Sequence, residues 1–233
     1  MSSLDFQDTI AALATPPGEG GLAVIRISGP EAFQVADKIF KPMDSRKKIT
    51  SLPSHTVHLG TLPNPDGGFW DQVLLTLFRA PHSFTGEDVV EFSAHGGRVV
   101  TRKILEMIYQ TGARPAEPGE FTRRAFLSGK IDLTQAEAVL DLIKAKSDLS
   151  LRTAAAQLAG HLSKSFKKIR QELLQMYAHM EAFLDFPDED LEIFSDHTFQ
   201  NQYRSVAEEL HKLLSGFHRG RSIREGISVV LAG

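Results

Sequence analysis

The sequence has 233 residues, of which 42% are hydrophobic and 24% are charged, and its formal net charge is -3. This composition predicts one large or two modest globular domains and argues against a protein that binds nucleic acid over its whole surface. The absence of cysteine excludes disulfides, thiolate zinc sites and a cysteine nucleophile. No stretch reaches the roughly 18 apolar residues of a membrane span, and the start does not resemble a secretion signal, so we expect a cytoplasmic, non-membrane protein.

The first half of the sequence alternates predicted strands with predicted helices. Runs rich in Val, Ile, Leu and Phe, bounded by Pro, Gly or Asn, predict strands over residues 9–15, 21–28, 55–62, 70–78 and 88–94. Helices are predicted over residues 29–40, where a proline suits the first turn, and over residues 98–110, which end at a Thr-Gly pair. This half is therefore predicted to be an α+β domain with a mixed β-sheet.

The second half of the sequence predicts helices. They are expected over residues 117–130, 132–147, 147–186 and 197–218. The first is predicted to turn Phe121, Ala125 and Phe126 inward. The helix over residues 147–186 is predicted as one long element, because apolar residues recur at three- and four-residue steps from Leu151 to Leu184. We predict an all-α bundle in which this apolar stripe is left partly uncovered.

Three segments carry candidate site residues. Arg26 lies inside an apolar strand, where a charge is costly unless it is paired or binds a ligand, and both interpretations remain open. In GEDVVE, Glu91 points either to solvent or into a pocket at the strand's end. His95 precedes a helix start, where a structural role is more common than a catalytic one. The segment from Arg98 to Lys130 contains seven basic residues and only three acidic ones. Such a cluster suits an anionic ligand or a solvated helix face.

The last eight residues, GISVVLAG, predict a buried strand that ends at a glycine. An edge strand and the opening strand of a phosphate-binding loop both fit this pattern.

The sequence resembles the family of tRNA wobble-uridine modification GTPases known as MnmE or TrmE. The resemblance lies in five segments of matching order and spacing: ATPPGEGGLAVIRISG, FTGEDVVEFSAHGG, RPAEPGEFTRRAFLSGKIDLTQAEAVLDLI, DFPDED and REGISVVLAG. It implies a folate-binding and dimerisation domain over residues 1–120, similar to the glycine-cleavage aminomethyltransferases, and an incomplete helical domain over residues 121–222. In the family a Ras-like G domain is inserted into the helical domain, and residues 223–233 match only its first strand.

The resemblance also implies a tetrahydrofolate site. The family uses an arginine of the IRISG strand, the second glutamate of GEDVVE and the lysine of F-L-x-G-K, which match Arg26, Glu91 and Lys130. Glu91 is expected to bind the pterin edge, and Arg26 and Lys130 the carbonyl and carboxylate groups. The expected cofactor is a tetrahydrofolate derivative, 5-formyl- or 5,10-methylene-tetrahydrofolate, as one-carbon donor.

The family's reaction implies further partners. A flavoprotein, MnmG (GidA), joins in building a carboxymethylaminomethyl-type group at C5 of the wobble uridine of certain tRNAs, and GTP hydrolysis with Mg²⁺ and K⁺ drives the cycle. GTP, Mg²⁺ and K⁺ are expected only in the G domain, and the family's returning C-terminal helices with their Cys-[Ile/Val]-Gly-Lys ending are unmatched. We therefore assign no catalytic residue and no metal ligand, and expect folate binding and homodimerisation without GTP hydrolysis.

Two other classes of function remain open. One is a folate-dependent one-carbon transferase. The other is a helical adaptor that uses Lys164, Lys167, Lys168 and Arg170 as a face for a partner or tRNA, although such a run is also typical of a solvated helix face.

Overall fold

The computed structural model describes residues 8–44, 46, 48–185, 197–226 and 229–232. The chain divides into two compact units, Met1–Ile131 and Asp132–Gly233. This division lies beyond residue 120, the boundary predicted from the sequence, because the helix that follows residue 119 contributes buried side chains to the first unit.

The first unit, here called the sheet unit, is built on a seven-stranded mixed sheet. Its strands are β1 (Ile10–Leu13), β2 (Gly20–Ser28), β3 (Lys41–Pro42), β4 (Thr56–Pro63), β5 (Phe69–Phe78), β6 (Val89–Gly96) and β7 (Arg114–Pro115). The sheet order is β3-β4-β5-β6-β2-β1-β7, and among the strand pairs of the described residues only β1–β7 is parallel. The prediction of a mixed sheet is thus confirmed. The two-residue strands β3 and β7 were not predicted, since two residues show no alternation.

Helices α1 (Ala32–Ile39) and α2 (Arg98–Gln110) pack on one face of this sheet. Strand residues alternate in direction, so every second residue of β2, β5 and β6 enters the core. The strand side chains of the core include Ile25, Ile27, Val73, Leu75, Leu77, Val90 and Phe92. The helices contribute Val35, Ala36, Ile104 and Ile108, which are all fully buried. The other face of the central strands therefore carries the alternate residues, Arg26 and Glu91 among them.

A third helix, α3 (Glu120–Leu127), completes the sheet unit and differs from its prediction. Ala125 is buried as expected, but Phe126 is exposed, and the fully buried long side chain is Arg124. The sequence-based assignment placed aromatic side chains inward. It was wrong for Phe126 because Arg124 finds carboxylate partners in the interior, as described below.

The second unit, here called the helical unit, contains α4 (Leu133–Lys144), α5 (Asp148–Leu158), α6 (His161–Asp185) and α7 (His197–Glu225). Capping boxes start α4 at Asp132 and α5 at Ser147. The prediction of one helix over residues 147–186 is wrong: the helix ends after Leu158 and a new one starts at His161. Gly160 has φ of +82°, the left-handed conformation that commonly follows a helix end.

The long apolar stripe of this unit is partly uncovered, as predicted. Ile169 is buried, whereas Leu173 keeps 47% of its surface exposed. Other exposed members of the stripe are Leu151, Phe166, Tyr177, Met180 and Leu184.

The predicted terminal strand is not present in the described residues 229–232, where Val230 is 89% exposed. A strand needs a neighbouring strand for its backbone N–H and C=O groups, and none pairs with these residues in the described part of the chain. Residues 186–196, which include the predicted helix end and acidic connector, lie outside the described residues.

Candidate functional site

Strands β2 and β6 bring Arg26 and Glu91 together. They run antiparallel with Arg26 directly opposite Glu91, so both side chains leave the sheet on the same face. Nε and Nη2 of Arg26 both lie 2.7 Å from Oε1 of Glu91. The two side chains are 25% and 22% exposed. The charge inside the apolar strand is therefore paired, and the pair still reaches solvent.

Two phenylalanine rings flank the guanidinium of Arg26. Its Cζ atom lies 5.1 Å from the ring centroid of Phe84 and 5.6 Å from that of Phe121. Phe84 comes from the loop between β5 and β6, and Phe121 from the first turn of α3. A cation within about 6 Å of an aromatic centroid is attracted to the ring. The rings and the Glu91 carboxylate thus hold the guanidinium in one orientation.

The Arg26–Glu91 pair keeps unused hydrogen-bonding capacity. A guanidinium has five N–H donors, and a carboxylate has two oxygens that each accept more than one hydrogen bond. The polar contacts of Arg26 in the described part of the chain all end on Oε1 of Glu91, and Oε2 has no donor there. The site can therefore bind a flat polar group that presents both a donor and an acceptor edge.

Lys130 lies near the same loop but does not touch the pair. Its Nζ donates to the carbonyl oxygen of Pro81 at 3.0 Å. Its Cγ lies so close to Gly86 that a Cβ on that glycine would be 3.1 Å away. Gly86 also has φ of +83°, a conformation that favours glycine. The structure therefore brings Arg26 and Glu91 into contact and places Lys130 against the loop that carries Phe84.

A buried ionic network behind this loop was not predicted from the sequence. Arg124, which is fully buried, donates to the carboxylates of Asp8, Glu87 and Glu120 at 2.8 to 3.3 Å. Arg114 makes a second fork to Glu120 at 2.9 and 2.6 Å. The four-residue step from Glu120 to Arg124 was the only local sequence signal, since Asp8 and Glu87 come from distant segments.

The electrostatics of the network follow from this arrangement. Hydrogen bonds from Arg114 lower the pKa of Glu120 to about 2, although burial works against ionisation. Burial also opposes ionisation of Asp8, but hydrogen bonds and charge from Arg114 and Arg124 outweigh it and lower the Asp8 pKa. The Arg114 pKa is raised, first by its hydrogen bond to Glu120. Asp8, Glu120 and Arg114 are thus ionised at neutral pH.

His95 has the structural role that the sequence favoured. Its Nδ1 lies 2.6 Å from Oδ1 of the buried Asp71, and its backbone N–H donates to Oδ2 at 2.8 Å. The β5–β6 ladder is paired only as far as Leu74 and Ser93. The Asp71 carboxylate therefore takes over hydrogen bonding where the two strands separate.

Two further properties bear on the kind of site. In the described ranges no group of three or more His, Cys, Asp or Glu side chains is arranged to hold a metal ion. Of the helices described, none is both long enough and apolar enough to cross a bilayer.

The fold is a two-layer α+β domain followed by a helical domain, and family comparisons match both parts. Residues 9–130 match the model described as "GTP-binding protein TrmE N-terminus", and residues 133–228 match the "MnmE helical domain". The chain therefore belongs to the TrmE family, also called MnmE.

Individual relatives agree with this assignment. The chain is 45% identical over 229 residues to the tRNA modification GTPase MnmE of Carboxydothermus hydrogenoformans, and 48% identical over 227 residues to that of Symbiobacterium thermophilum. The protein of the same name from Geobacillus kaustophilus is 44% identical over 228 residues. These alignments cover 97 to 98% of the chain but 49 to 50% of each relative. The chain thus spans about half the length of the curated relatives it matches.

Proposed function

We propose that the chain supplies folate binding and dimerisation to a GTPase that modifies the wobble uridine of certain tRNAs. The observation that carries the proposal is the Arg26–Glu91 pair on the sheet face, flanked by two aromatic rings and with open donors and acceptors. The relatives are named tRNA modification GTPases, which supports the tRNA substrate and the GTPase activity of a longer protein.

The ligand proposed for the pair is a tetrahydrofolate derivative. A pterin edge offers an amino group and a ring N–H, which a carboxylate such as Glu91 can accept together. Its ring carbonyl is an acceptor for the remaining N–H groups of Arg26. The glutamate tail of folate is an anion, and we assign it to Lys130, whose ammonium group is exposed and close to the loop.

Isothermal titration with 5-formyltetrahydrofolate tests the proposal. The parent chain should bind, and Glu91→Ala should bind at least tenfold more weakly, because loss of a charged hydrogen-bond partner costs about 1.5–3 kcal/mol. The matched control is Glu106→Ala, which removes an α2 carboxylate that pairs with Lys103 on the protein surface. Unchanged affinity of Glu91→Ala would rule out the pterin assignment.

We propose that the homodimer forms through the same face of the sheet unit. Glu91 lies opposite Thr76 in β5, and Thr76 lies opposite Val57 in β4, so all three are on the face that carries Arg26. Val57 is exposed, and so are Leu59 of β4 and Leu74 of β5, which lie opposite each other two residues further along the same face. An exposed apolar row of this kind is typical of a protein interface. Sedimentation of Leu59→Lys should show a monomer if this row is the interface.

The remaining parts of the proposed activity need other components. One is the flavoprotein MnmG, and another is the G domain that would bind GTP, Mg²⁺ and K⁺. The proposed place of the reaction is the cytoplasm. Of the alternatives, the match of residues 133–228 to the family's helical domain favours the tRNA-modifying role over a free-standing one-carbon transferase. In the basic run of α6, Lys168 lies within 4 Å of carboxylates of Glu172 and Glu209, which favours a solvated helix face over an adaptor surface.

A further inference from the structure

The loop between β5 and β6, residues 79–88, carries the aromatic ring closest to Arg26. Phe84 keeps 39% of its surface exposed, although the next residue, Thr85, is fully buried. The guanidinium of Arg26 covers part of the Phe84 ring. The loop therefore presents an aromatic surface beside the Arg26–Glu91 pair while its neighbouring residue is fixed in the interior.

Buried and partly buried hydrogen bonds hold the loop immediately after Phe84. Oγ of Ser28 donates to Oε2 of Glu87 at 2.6 Å and lies 2.7 Å from Oγ1 of Thr85. Oγ of Ser128 donates to the Thr85 carbonyl oxygen at 2.6 Å. These contacts join the loop to β2 and to the end of α3, so Phe84 has little freedom at its C-terminal side.

Arg124 also holds the loop, through Glu87. Its Nη1 donates to Oε1 of Glu87 at 3.0 Å, while Nη2 donates to Asp8 and Glu120 at 2.8 and 3.0 Å. A fully buried guanidinium with several carboxylate partners has a fixed position, because any displacement leaves charges without partners. Glu87 therefore receives a fixed donor on each oxygen, Ser28 on one and Arg124 on the other.

We propose that Phe84 forms an aromatic wall that stacks on the flat ring of a pterin bound at the Arg26–Glu91 pair, and that Arg124 is a positioning residue for this wall. The proposal rests on the proposed function, since it assigns a further contact to the same ligand. The face of an aromatic ring favours offset stacking on another ring. Arg124 acts at a distance, through its ion pair with Glu87, the hydrogen bond from Ser28 to Glu87 and the hydrogen bond between Ser28 and Thr85.

The first test is titration of Phe84 variants with 5-formyltetrahydrofolate. Phe84→Leu keeps apolar volume but removes the aromatic face, and binding should weaken about tenfold, whereas Phe84→Tyr should bind like the parent. A pterin without the glutamate tail should show the same ratio between parent and Phe84→Leu, because the wall contacts only the ring. The control is Phe69→Leu, an exposed phenylalanine at the start of β5.

The second test separates positioning from stability. Arg124→Lys should weaken folate binding severalfold in the parent background and should have no further effect in the Phe84→Leu background, because the wall it positions is already gone. A general loss of stability would weaken binding equally in both backgrounds, and this result would overturn the role of Arg124. Glu87→Gln repeats the test if Arg124→Lys does not fold.

The outcomes distinguish this inference from the proposed function. If the parent chain does not bind 5-formyltetrahydrofolate, both are wrong. If the parent binds, Glu91→Ala does not, and Phe84→Leu binds like the parent, then the aromatic wall alone is wrong.

Discussion

The sheet unit and the helical unit differ in which side chains they bury. The sheet unit encloses a continuous apolar core and also buries an ion pair, Glu120 and Arg124. The described helices of the helical unit leave large apolar residues such as Leu173 and Tyr177 exposed. Their buried apolar residues are Ala138, Ala154, Ile169, Met176 and Val206. Stability in the sheet unit thus depends on a closed interior that includes charges, whereas the helical unit has little closed interior of its own.

Removing Arg124 should have the largest effect on the stability of the sheet unit. Arg124→Met removes the fully buried guanidinium that pairs with Asp8, Glu87 and Glu120, although Arg114 still pairs with Glu120. We expect the free energy of unfolding of the sheet unit to fall by about 3–5 kcal/mol. The only tryptophan, Trp70, lies in β5, so its fluorescence during urea unfolding reports on this unit.

The matched control is the neighbouring arginine. Arg123 is half-exposed, pairs with the exposed Glu117 at 3.0 Å and reaches Glu120 only at 3.7 Å, so Arg123→Met should cost less than about 1 kcal/mol. Similar losses for the two variants would contradict the view that burial of the network stabilises the sheet unit.

Acid should lower the free energy of unfolding of the sheet unit by less than the loss of Arg124 does. The folded-state pKa of Glu120 is about 2, below its ordinary value of 4.5, and the Asp8 pKa is also lowered. Carboxylates with depressed folded-state pKa values stabilise the folded state above their unfolded-state pKa, and this stabilisation is lost as the pH falls through the folded-state pKa. Between pH 7 and pH 3 we expect a loss of about 2 kcal/mol from Glu120 in the free energy of unfolding.

The pH dependence can be assigned to Glu120 by substitution. Glu120→Gln should be less stable than the parent at pH 7, and its free energy of unfolding should change less between pH 7 and pH 3. Glu117→Gln, which alters an exposed carboxylate, should keep the parent's slope. If the free energy of unfolding of Glu120→Gln changes between pH 7 and pH 3 as much as that of the parent, the acid sensitivity does not come from Glu120.

The sequence predicted the parts of the fold that depend on local pattern. Apolar runs located strands β1, β2, β4, β5 and β6, and the resemblance of local motifs named Arg26, Glu91 and Lys130. The contact of Phe84 with Arg26 was not predictable, because a loop residue 58 positions away shows no periodicity relative to a strand. The same holds for Asp8 and Glu87, the partners of Arg124 that are distant in the sequence. The glycine at position 160 was a sequence signal for the helix end there. The prediction missed it because apolar residues recur at three- and four-residue steps on both sides of Gly160.

The smallest effect is expected for polar substitution on the helical unit. Leu173→Lys places a charge on an α6 position that is already half-exposed, so it should change the helical content by little and cost less than about 1 kcal/mol. Exposed apolar surface also promotes self-association, so light scattering of Leu173→Lys should show less association than the parent at equal concentration.

Limited proteolysis of the parent chain compares the two units directly, because the unit with less closed interior should be cut first. A parent chain that is a compact monomer and resists protease equally in both units would show that the two units do not differ in the way their exposed side chains indicate.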